Sequence, residues 1–147
     1  MSECEAHPGD SAIQRGAEKV IREQLGLELG VSLDPAKRIE RLKGLCPDGF
    51  CDGPEPICVE IWAHQGCAKS AQKAKVMKDM CKLLLCERLL ARKCRKIVVV
   101  SDDAALSFLR KSWEGQFAKE FGIELRCVDI PQAVREQIQG AQRRQFR

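Results

Sequence analysis

The stretch ICVEIWAHQG, from Ile57 to Gly66, has the alternating pattern of a β-strand, and the rest of the chain can be arranged around it. Successive side chains of a strand point to opposite faces of the sheet, so every second residue shares a face. One face carries only apolar side chains: Ile57, Val59, Ile61 and Ala63. The other face carries Cys58, Glu60, Trp62 and His64. The pattern predicts a strand with one face in a core and with a carboxylate, an indole and an imidazole on the other.

A turn signal directly before this strand predicts a hairpin. The sequence GPEP begins at Gly53, and a short segment from Asp48 to Asp52 precedes it. With a three-residue loop after Asp52, antiparallel counting places Asp48 opposite Glu60. Two carboxylates that face each other across a hairpin repel each other unless a cation or a proton lies between them. The hairpin therefore predicts a divalent-cation site at Asp48 and Glu60, with Asp52 as a secondary candidate that is better explained as a turn residue.

Positive charge is concentrated in the segment that follows the strand. Ten Lys and Arg residues but only two acids lie between Cys67 and Lys96, although the whole chain carries a net charge of only +4. The remainder of the chain is therefore net negative. Such a distribution suits a polyanionic partner, and it is also what the solvated face of a helix would show.

The size and composition of the chain are those of one globular domain. It has 147 residues, of which 44% are hydrophobic and 31% charged. Its apolar runs, such as Ile97–Val100, have the length of a strand and fall far short of the ~20 residues of a membrane span, so we expect no membrane contact. The acidic N-terminus lacks the apolar segment of a secretory signal, which favours a cytoplasmic location.

The nine cysteines do not have the spacing of a zinc site. No CxxC pair occurs, and the one ligand-like spacing, His64-x-x-Cys67, lacks a matching second pair. A structural zinc ion needs paired ligands that converge on one tetrahedron. We therefore interpret the cysteines as reduced residues that act mainly as small core side chains.

Hydrophobic periodicity predicts the order helix, helix, hairpin, helix, strand, helix, strand, helix. The predicted elements are a helix capped by Asp10 or Ser11 that ends at Gly26, a helix after Asp34 that stops at Gly44, the hairpin 48–64, a helix over 68–92, a strand over 96–101, a helix from Asp102 to Phe121, a strand over 123–130 and a short helix from Pro131. This order predicts an α/β domain of three layers, in which helices flank a mixed central β-sheet. The domain spans residues 1–147, with an N-terminal tail at 1–10 and a basic C-terminal tail at 143–147.

Two of the predicted helices carry apolar stripes. For the helix over 68–92, the predicted stripe is Met77, Met80, Cys81, Leu84 and Leu85. For the helix that follows Asp102, the predicted stripe repeats every four residues: Ala105, Leu109, Trp113, Phe117 and Phe121. Both stripes are expected to face the sheet.

Three acids and a basic helix form a pattern over residues 11–101. Glu18 lies on the first helix, Pro47-Asp48-Gly49 begins the hairpin, Glu60 lies on the next strand, and the helix KSAQKAK begins at Lys69. With this element order, the pattern resembles the PD-(D/E)xK nuclease superfamily, whose core is a helix, a three-strand meander, a helix and a strand. The resemblance implies a restriction-endonuclease-like core and a hydrolase that cleaves phosphodiesters with Mg²⁺ or Mn²⁺.

The resemblance also implies roles for individual residues. Asp48 and Glu60 would hold the metal, and Glu18 would orient a ligand water or bind a second ion. The lysine of the family belongs two residues after the second acid, where this chain has Trp62, and an indole cannot supply a positive charge. The catalytic cation or proton donor would then come from elsewhere: Lys69, Lys73 or Lys75 on the next helix, or His64.

Each of these residues also has a purely structural interpretation. Glu18 could be a solvated carboxylate paired with Arg22 at i+4. His64 could be a structural hydrogen-bonding residue at a strand end, Trp62 a packing residue, and the lysines a solvated helix face. These alternatives remain open from the sequence.

The expected partner is nucleic acid, with duplex DNA favoured. Aromatic residues make up 5% of the chain and tyrosine is absent, so a groove that stacks single-stranded bases is poorly supplied. The predicted phosphate contacts are Lys69, Gln72, Lys73, Lys75 and Lys78. Three functions remain compatible with the sequence: a metal-dependent nuclease, which could act as a homodimer, a catalytically inactive relative that binds DNA, and a protein-interaction module.

Overall fold

A computed structural model of the chain describes residues 8–35, 40–67 and 69–145. Within these ranges the helices are α1 (Pro8–Leu29), α2 (Ser70–Leu90), α3 (Asp103–Lys111), α4 (Trp113–Glu120) and α5 (Gln132–Gln145). The strands are β1 (Gly49–Cys51), β2 (Ile57–Trp62), β3 (Arg95–Val100) and β4 (Ile123–Cys127), and a 3-10 helix spans Glu40–Leu42.

The four strands form one mixed sheet in the order β1-β2-β3-β4. β1 pairs with β2 in antiparallel fashion, whereas β2, β3 and β4 run parallel. Helices α1 and α5 pack on one face of the sheet, and α2, α3 and α4 pack on the other. The predicted α/β architecture with a mixed central sheet is therefore confirmed.

β2 lies in the interior of the sheet and is buried on both faces. Its residues Val59 and Ile61 belong to the core beneath α1 and α5, and Cys58 and Trp62 belong to the core beneath α2. The expectation that only one face of this strand belongs to a core is therefore wrong. The alternating pattern did not predict the core beneath α2, because the β2 side chains on that face include the acid Glu60 and the indole of Trp62.

The predicted register of the hairpin is confirmed. Gly49 pairs with Val59 and Cys51 pairs with Ile57, and the same counting sets Asp48 opposite Glu60. Asp34 extends this antiparallel region by an isolated bridge to Phe50, with N···O distances of 2.7 and 3.0 Å. Of the helix predicted between Asp34 and Gly44, Pro35 is not helical, positions 36–39 lie outside the described residues, and Glu40–Leu42 form a 3-10 helix.

α1 runs through Gly26, so the prediction that this glycine ends the helix is wrong. Gly26 is needed for a different reason: a Cβ at this position would lie 2.8 Å from the backbone oxygen of Val31, because the chain turns back across the helix there. The helix ends at Leu29, and Gly30 follows with φ +71°. Asp10 and Ser11, the two predicted caps, both lie inside the helix, which begins at Pro8 within the predicted N-terminal tail.

The apolar stripe of α2 is displaced from the predicted one. The buried residues are Val76, Met80, Leu83, Cys86 and Leu90. Met80 alone is common to both sets as a buried residue, whereas Leu85 is 46% exposed. The run of leucines from 83 to 85 made either stripe compatible with the helical period.

The predicted helix after Asp102 is broken into α3 and α4 at Ser112. The Oγ of Ser112 donates a hydrogen bond to the Leu109 carbonyl at 2.6 Å, and the extended backbone of Ser112 changes the direction of the chain. Trp113 and Phe121 are exposed, whereas Ala105, Leu109 and Phe117 of the predicted stripe contribute to the core beneath α2. α5 continues to Gln145, beyond the predicted start of a tail at 143. No helix in the described parts of the chain combines the length and the apolar character of a membrane span.

Candidate active site

The side chains of Asp48 and Glu60 meet on the α2 side of the hairpin, as the register requires. Asp48 Oδ2 accepts a hydrogen bond from the Ile61 N–H at 2.9 Å, and its backbone oxygen accepts one from Arg22 at 3.2 Å. The Asp48 carboxyl also lies within hydrogen-bonding reach of the Glu60 carboxyl. The predicted pair of acids is therefore brought together.

Glu60 is held in an environment that opposes its charge. Only 2% of the residue is exposed. Burial raises the pKa of Glu60 to about 9, and the hydrogen bond and negative charge of Asp48 act in the same direction. Glu60 therefore carries a proton at neutral pH unless a cation replaces that proton.

Lys82 of α2 is the cation that reaches this pair. Its Nζ lies 2.7 Å from Glu60 Oε1 and donates a hydrogen bond to the Cys46 carbonyl at 2.8 Å. Burial opposes the charge of Lys82, but its contact with Glu60 outweighs burial and raises the lysine pKa. The contact with Oε1 is close without the alignment of a hydrogen bond, and this buried oxygen has no hydrogen-bond partner among the described residues.

Lys82 was not among the residues predicted from the sequence, although a signal for it exists. Lys75, Asp79 and Lys82 are spaced i, i+4 and i+7, so they share a face of α2 beside its buried stripe. The predicted apolar stripe, which includes Cys81, Leu84 and Leu85, is displaced from the buried one, so the sequence did not indicate that Lys82 faces the carboxyl pair.

Two further acids lie near Asp48. Burial is the main cause of a raised pKa at both Glu18 of α1 and Asp79 of α2, and the negative charge of Asp48 adds to each shift. The positive charge of Lys75 lowers the pKa of both acids. Glu18 accepts a hydrogen bond from Gln14 at 3.3 Å, whereas Arg22, its predicted partner, donates to the backbone of Asp48. Asp79 was not predicted.

The remaining predicted lysines lie outside the immediate surroundings of the carboxyl pair. Lys73 Nζ lies over the ring of Phe108, 4.6 Å from its centroid. Lys69 caps α2, where its N–H donates to Gln72 Oε1 at 2.7 Å. Lys78 is exposed on α2, and its positive charge lowers the pKa of Asp79. Of these lysines, Lys75 is one whose positive charge lowers the pKa of Glu18 and of Asp79.

His64 and Trp62 form a stacked pair at the end of β2. Their ring centroids are 5.2 Å apart and the planes differ by 8°. His64 Nδ1 lies 3.1 Å from Gln72 Nε2, and its Nε2 lies 3.3 Å from the Cys67 carbonyl oxygen. Burial lowers the pKa of His64. Both ring nitrogens have partners within the protein, as the structural interpretation of this residue requires.

Asp52, the secondary candidate, lies outside the site. It is exposed at the turn, where its Oδ1 accepts a hydrogen bond from the Gly53 N–H at 2.9 Å. It forms ion pairs with Arg92 at 3.0 Å and Arg41 at 3.5 Å. The backbone hydrogen bond, followed by the Arg92 contact, lowers its pKa.

The oxygens of Asp48 and Glu60 are of the type that Mg²⁺ takes as ligands. The Lys82 ammonium lies 2.7 Å from Glu60 Oε1, so a metal ion at this oxygen would have to displace that contact. Within the described residues no three His, Cys, Asp or Glu side chains form a complete metal-binding group. Mg²⁺ is commonly held by one or two carboxylates together with waters and substrate phosphates, so two ligands suffice.

Comparisons of the chain with known proteins return no relative. No family model, no curated protein and no solved structure matches it. The geometry of the site is therefore the basis on which its function is inferred.

Proposed function

We propose that this protein is a metal-dependent nuclease whose active site consists of Asp48, Glu60 and Lys82. The observation that carries the proposal is the meeting of two carboxyls across a hairpin, beside a lysine of the following helix. A buried acid pair that must share a proton or a cation is costly to maintain without a function.

The arrangement of elements supports the same proposal. α1 is followed by the bridge at Asp34, then by β1, β2, α2 and β3. With the bridge counted as a short strand, this order is compatible with the helix, three-strand meander, helix and strand that the resemblance to the PD-(D/E)xK nucleases implies, and β3 lies parallel to β2. Asp48 and Glu60 occupy the positions that the resemblance assigned to the metal-binding acids.

Each residue of the site has a role that follows from its position. Asp48 and Glu60 would hold a Mg²⁺ or Mn²⁺ ion, and such an ion supplies charge neutralisation and an activated water when it is bound. Lys82, next to Glu60, would donate to a phosphate oxygen, which is the role of the lysine that Trp62 replaces. Lys75 and Lys78 extend this positive surface along α2 toward phosphates on either side.

A catalytically inactive relative that binds DNA is the second candidate, and one observation favours it. Lys82 and the shared proton already compensate the charge of Glu60 in the absence of a metal. If this arrangement persists when Mg²⁺ is present, the basic face of α2 would bind nucleic acid without cleaving it.

Titration with Mg²⁺ and Mn²⁺ tests the proposal directly. We expect the wild-type protein to bind the ion by calorimetry, and we expect Glu60→Gln to lose this binding because a neutral amide replaces the carboxylate. Asp52→Asn is the matched control, since it removes a carboxylate from the same hairpin outside the site. Binding that is equal in all three proteins would contradict the proposal.

Cleavage assays then separate the two candidates. Duplex, single-stranded and branched DNA and RNA are incubated with Mg²⁺ and with Mn²⁺. Products that form with the wild type and the Asp52→Asn control but not with Glu60→Gln support the nuclease. Metal binding without any product from these substrates favours the inactive DNA-binding relative.

A further inference from the structure

A cavity of about 220 Å³ lies next to the candidate active site. It is lined by residues of α1, α2 and α5 and by the end of β2, including Gln14, Trp62, His64, Lys75 and Ala141. In open α/β sheets, ligands bind in the crevice beyond the carboxyl ends of the strands, and Trp62 is the last residue of β2. The cavity therefore occupies the part of the fold where a ligand is expected.

Two residues connect the cavity to the acids of the site. Gln14 lines the cavity and donates a hydrogen bond to Glu18 at 3.3 Å. Lys75 lines the cavity and also lines an open cleft together with Asp79 and Lys82. The cavity and the cleft beside Lys82 therefore share a wall residue.

The walls of the cavity are held in place by the protein itself. The stacked rings of Trp62 and His64 form one part, and Gln72 holds His64 by its Nδ1. Gln142 of α5 forms two hydrogen bonds with the backbone of Gln65, at 2.8 and 3.0 Å. A site whose walls are already ordered loses little entropy when a ligand binds.

The lining combines aromatic rings, amide groups and aliphatic side chains, the last being Ile13, Ala63, Ile138 and Ala141. This combination suits a flat heterocycle that has an apolar face and hydrogen-bonding edges. The volume is below the ~300–1,000 Å³ of sites for drug-sized ligands, as is appropriate for a single base.

Positive charge continues beyond the cavity. An open cleft of about 510 Å³ shares His64 and Gln142 with it and is also lined by Lys69 and Arg143. Cationic groups therefore flank the cavity on two sides, with Lys75 toward the acids and Lys69 and Arg143 away from them. A strand whose base entered the cavity would have lysine or arginine beside the phosphates on each side of that base.

We propose that the cavity binds one nucleobase that has left the helical stack, next to the phosphate at the carboxyl pair. The inference rests on the proposed function and defines its substrate: a nucleic acid with an unpaired nucleotide, such as a bulge, a flap or a single-stranded end, in place of the fully paired duplex favoured by composition. A single base pocket needs few aromatic residues, so the low aromatic content is no obstacle.

Binding in the absence of metal tests the pocket separately from catalysis. Fluorescence anisotropy in EDTA compares a fully paired DNA duplex with the same duplex carrying one unpaired nucleotide. We expect the wild type to bind the second about 5- to 150-fold more tightly, since stacking of one base contributes ~1–3 kcal/mol. Ala141→Phe, which fills the cavity, should abolish this preference and leave the affinity for paired duplex unchanged.

Ala133→Phe is the matched control, because Ala133 is an exposed residue of the same helix. It should retain the preference. A preference that survives in Ala141→Phe, or that is absent from the wild type, would overturn the inference about the pocket. A preference that depends on Ala141, in a protein that neither binds Mg²⁺ nor cleaves, would retain the pocket and reject the nuclease.

A second measurement requires no variant. A 2-aminopurine base is placed at the unpaired position, and its emission is recorded as wild-type protein is added. Entry into a cavity lined by Trp62 and His64 should quench this emission, while 2-aminopurine at a paired position should remain unchanged. Equal emission changes at the two positions would contradict the proposal.

Discussion

At the scale of single residues, Glu60 determines what the site can do. The fold buries this carboxyl next to another one and gives it a lysine as its only cation in close contact among the described residues. Its uncharged form is favoured in the free protein, whereas a metal ligand must be ionised. In the proposed site, the proton on Glu60 and a metal ion would therefore compete for the same carboxyl oxygens.

This competition predicts a specific pH dependence of metal affinity. The pKa of Glu60 is raised to about 9, so between about pH 6 and pH 9 each bound Mg²⁺ must displace one proton. We expect affinity to rise about tenfold per pH unit over this range and to level off above pH 9. Calorimetry at a series of pH values measures the slope, and a pH-independent affinity below pH 8 would contradict the assigned protonation of Glu60.

Lys82 should be required for chemistry. We expect Lys82→Met to lower the single-turnover cleavage rate about 10²-fold at saturating metal, because it removes a donor aimed at the reacting phosphate. Lys93→Met is the control, since Lys93 is an exposed lysine beyond the end of α2. The rates are measured by quenched-flow or manual sampling. Similar losses in both variants would show that total charge, and not the position of Lys82, matters.

At the scale of elements, the junction between α3 and α4 shows how a contact within the chain overrides a hydrophobic repeat. A four-residue repeat from Ala105 to Phe121 is compatible with one continuous helix. Gly115, however, lies so close to the end of α3 that a Cβ there would be 2.3 Å from the Leu109 carbonyl oxygen. α4 can therefore fold back against α3 only because position 115 has no side chain.

Gly115→Ala should destabilise the protein. The added methyl group would collide with backbone atoms of Leu109 and Arg110, which cannot move aside as a side chain could. We expect the free energy of unfolding to fall by about 2–4 kcal/mol in denaturant titrations.

Gly16→Ala is the control for this substitution. Gly16 lies inside α1, and a Cβ there would have no atom within 4 Å. The replacement should therefore stabilise the protein by about 0.5–1 kcal/mol, as helix propensity predicts. A Gly115→Ala protein as stable as the wild type would show that α4 does not depend on this close approach.

At the scale of the whole molecule, two cores on opposite faces of the sheet enclose β2 and β3. Cys58 of β2, Cys86 of α2 and Cys94 before β3 all belong to the core beneath α2, and at most 3% of each is exposed. The hydrogen bond that the Cys58 thiol donates to Cys86, followed by burial, raises the pKa of Cys58. The interpretation of cysteines as core residues is confirmed for these three.

Thiol labelling should therefore report global unfolding. We expect the exposed Cys46, Cys67 and Cys81 to react with Ellman's reagent at once, and the three core thiols to react only at the rate at which the protein unfolds. Labelling in native buffer and in guanidinium, followed by mass spectrometry, identifies the sites. Rapid modification of Cys58 in native buffer would contradict the packing of this core.

Local patterns were sufficient to predict part of the site. The turn residues after Asp52 and the alternation of β2 set the register, which brings Asp48 to Glu60 because a hairpin depends on neighbouring residues only. The α/β order of elements followed from periodicity in the same way. These are properties that the sequence by itself determined.

Packing between segments that are far apart in the sequence determined the other features of the site. Glu60 is buried because α2 covers β2. Lys82 is the partner of Glu60 because of the face of α2 that turns toward the sheet. A run of three leucines left that face ambiguous in the sequence. The burial that raises the pKa of Glu60 and the cavity between α1, α2 and α5 exist only once helices distant in the chain are packed on one sheet, so the tertiary structure alone determined them.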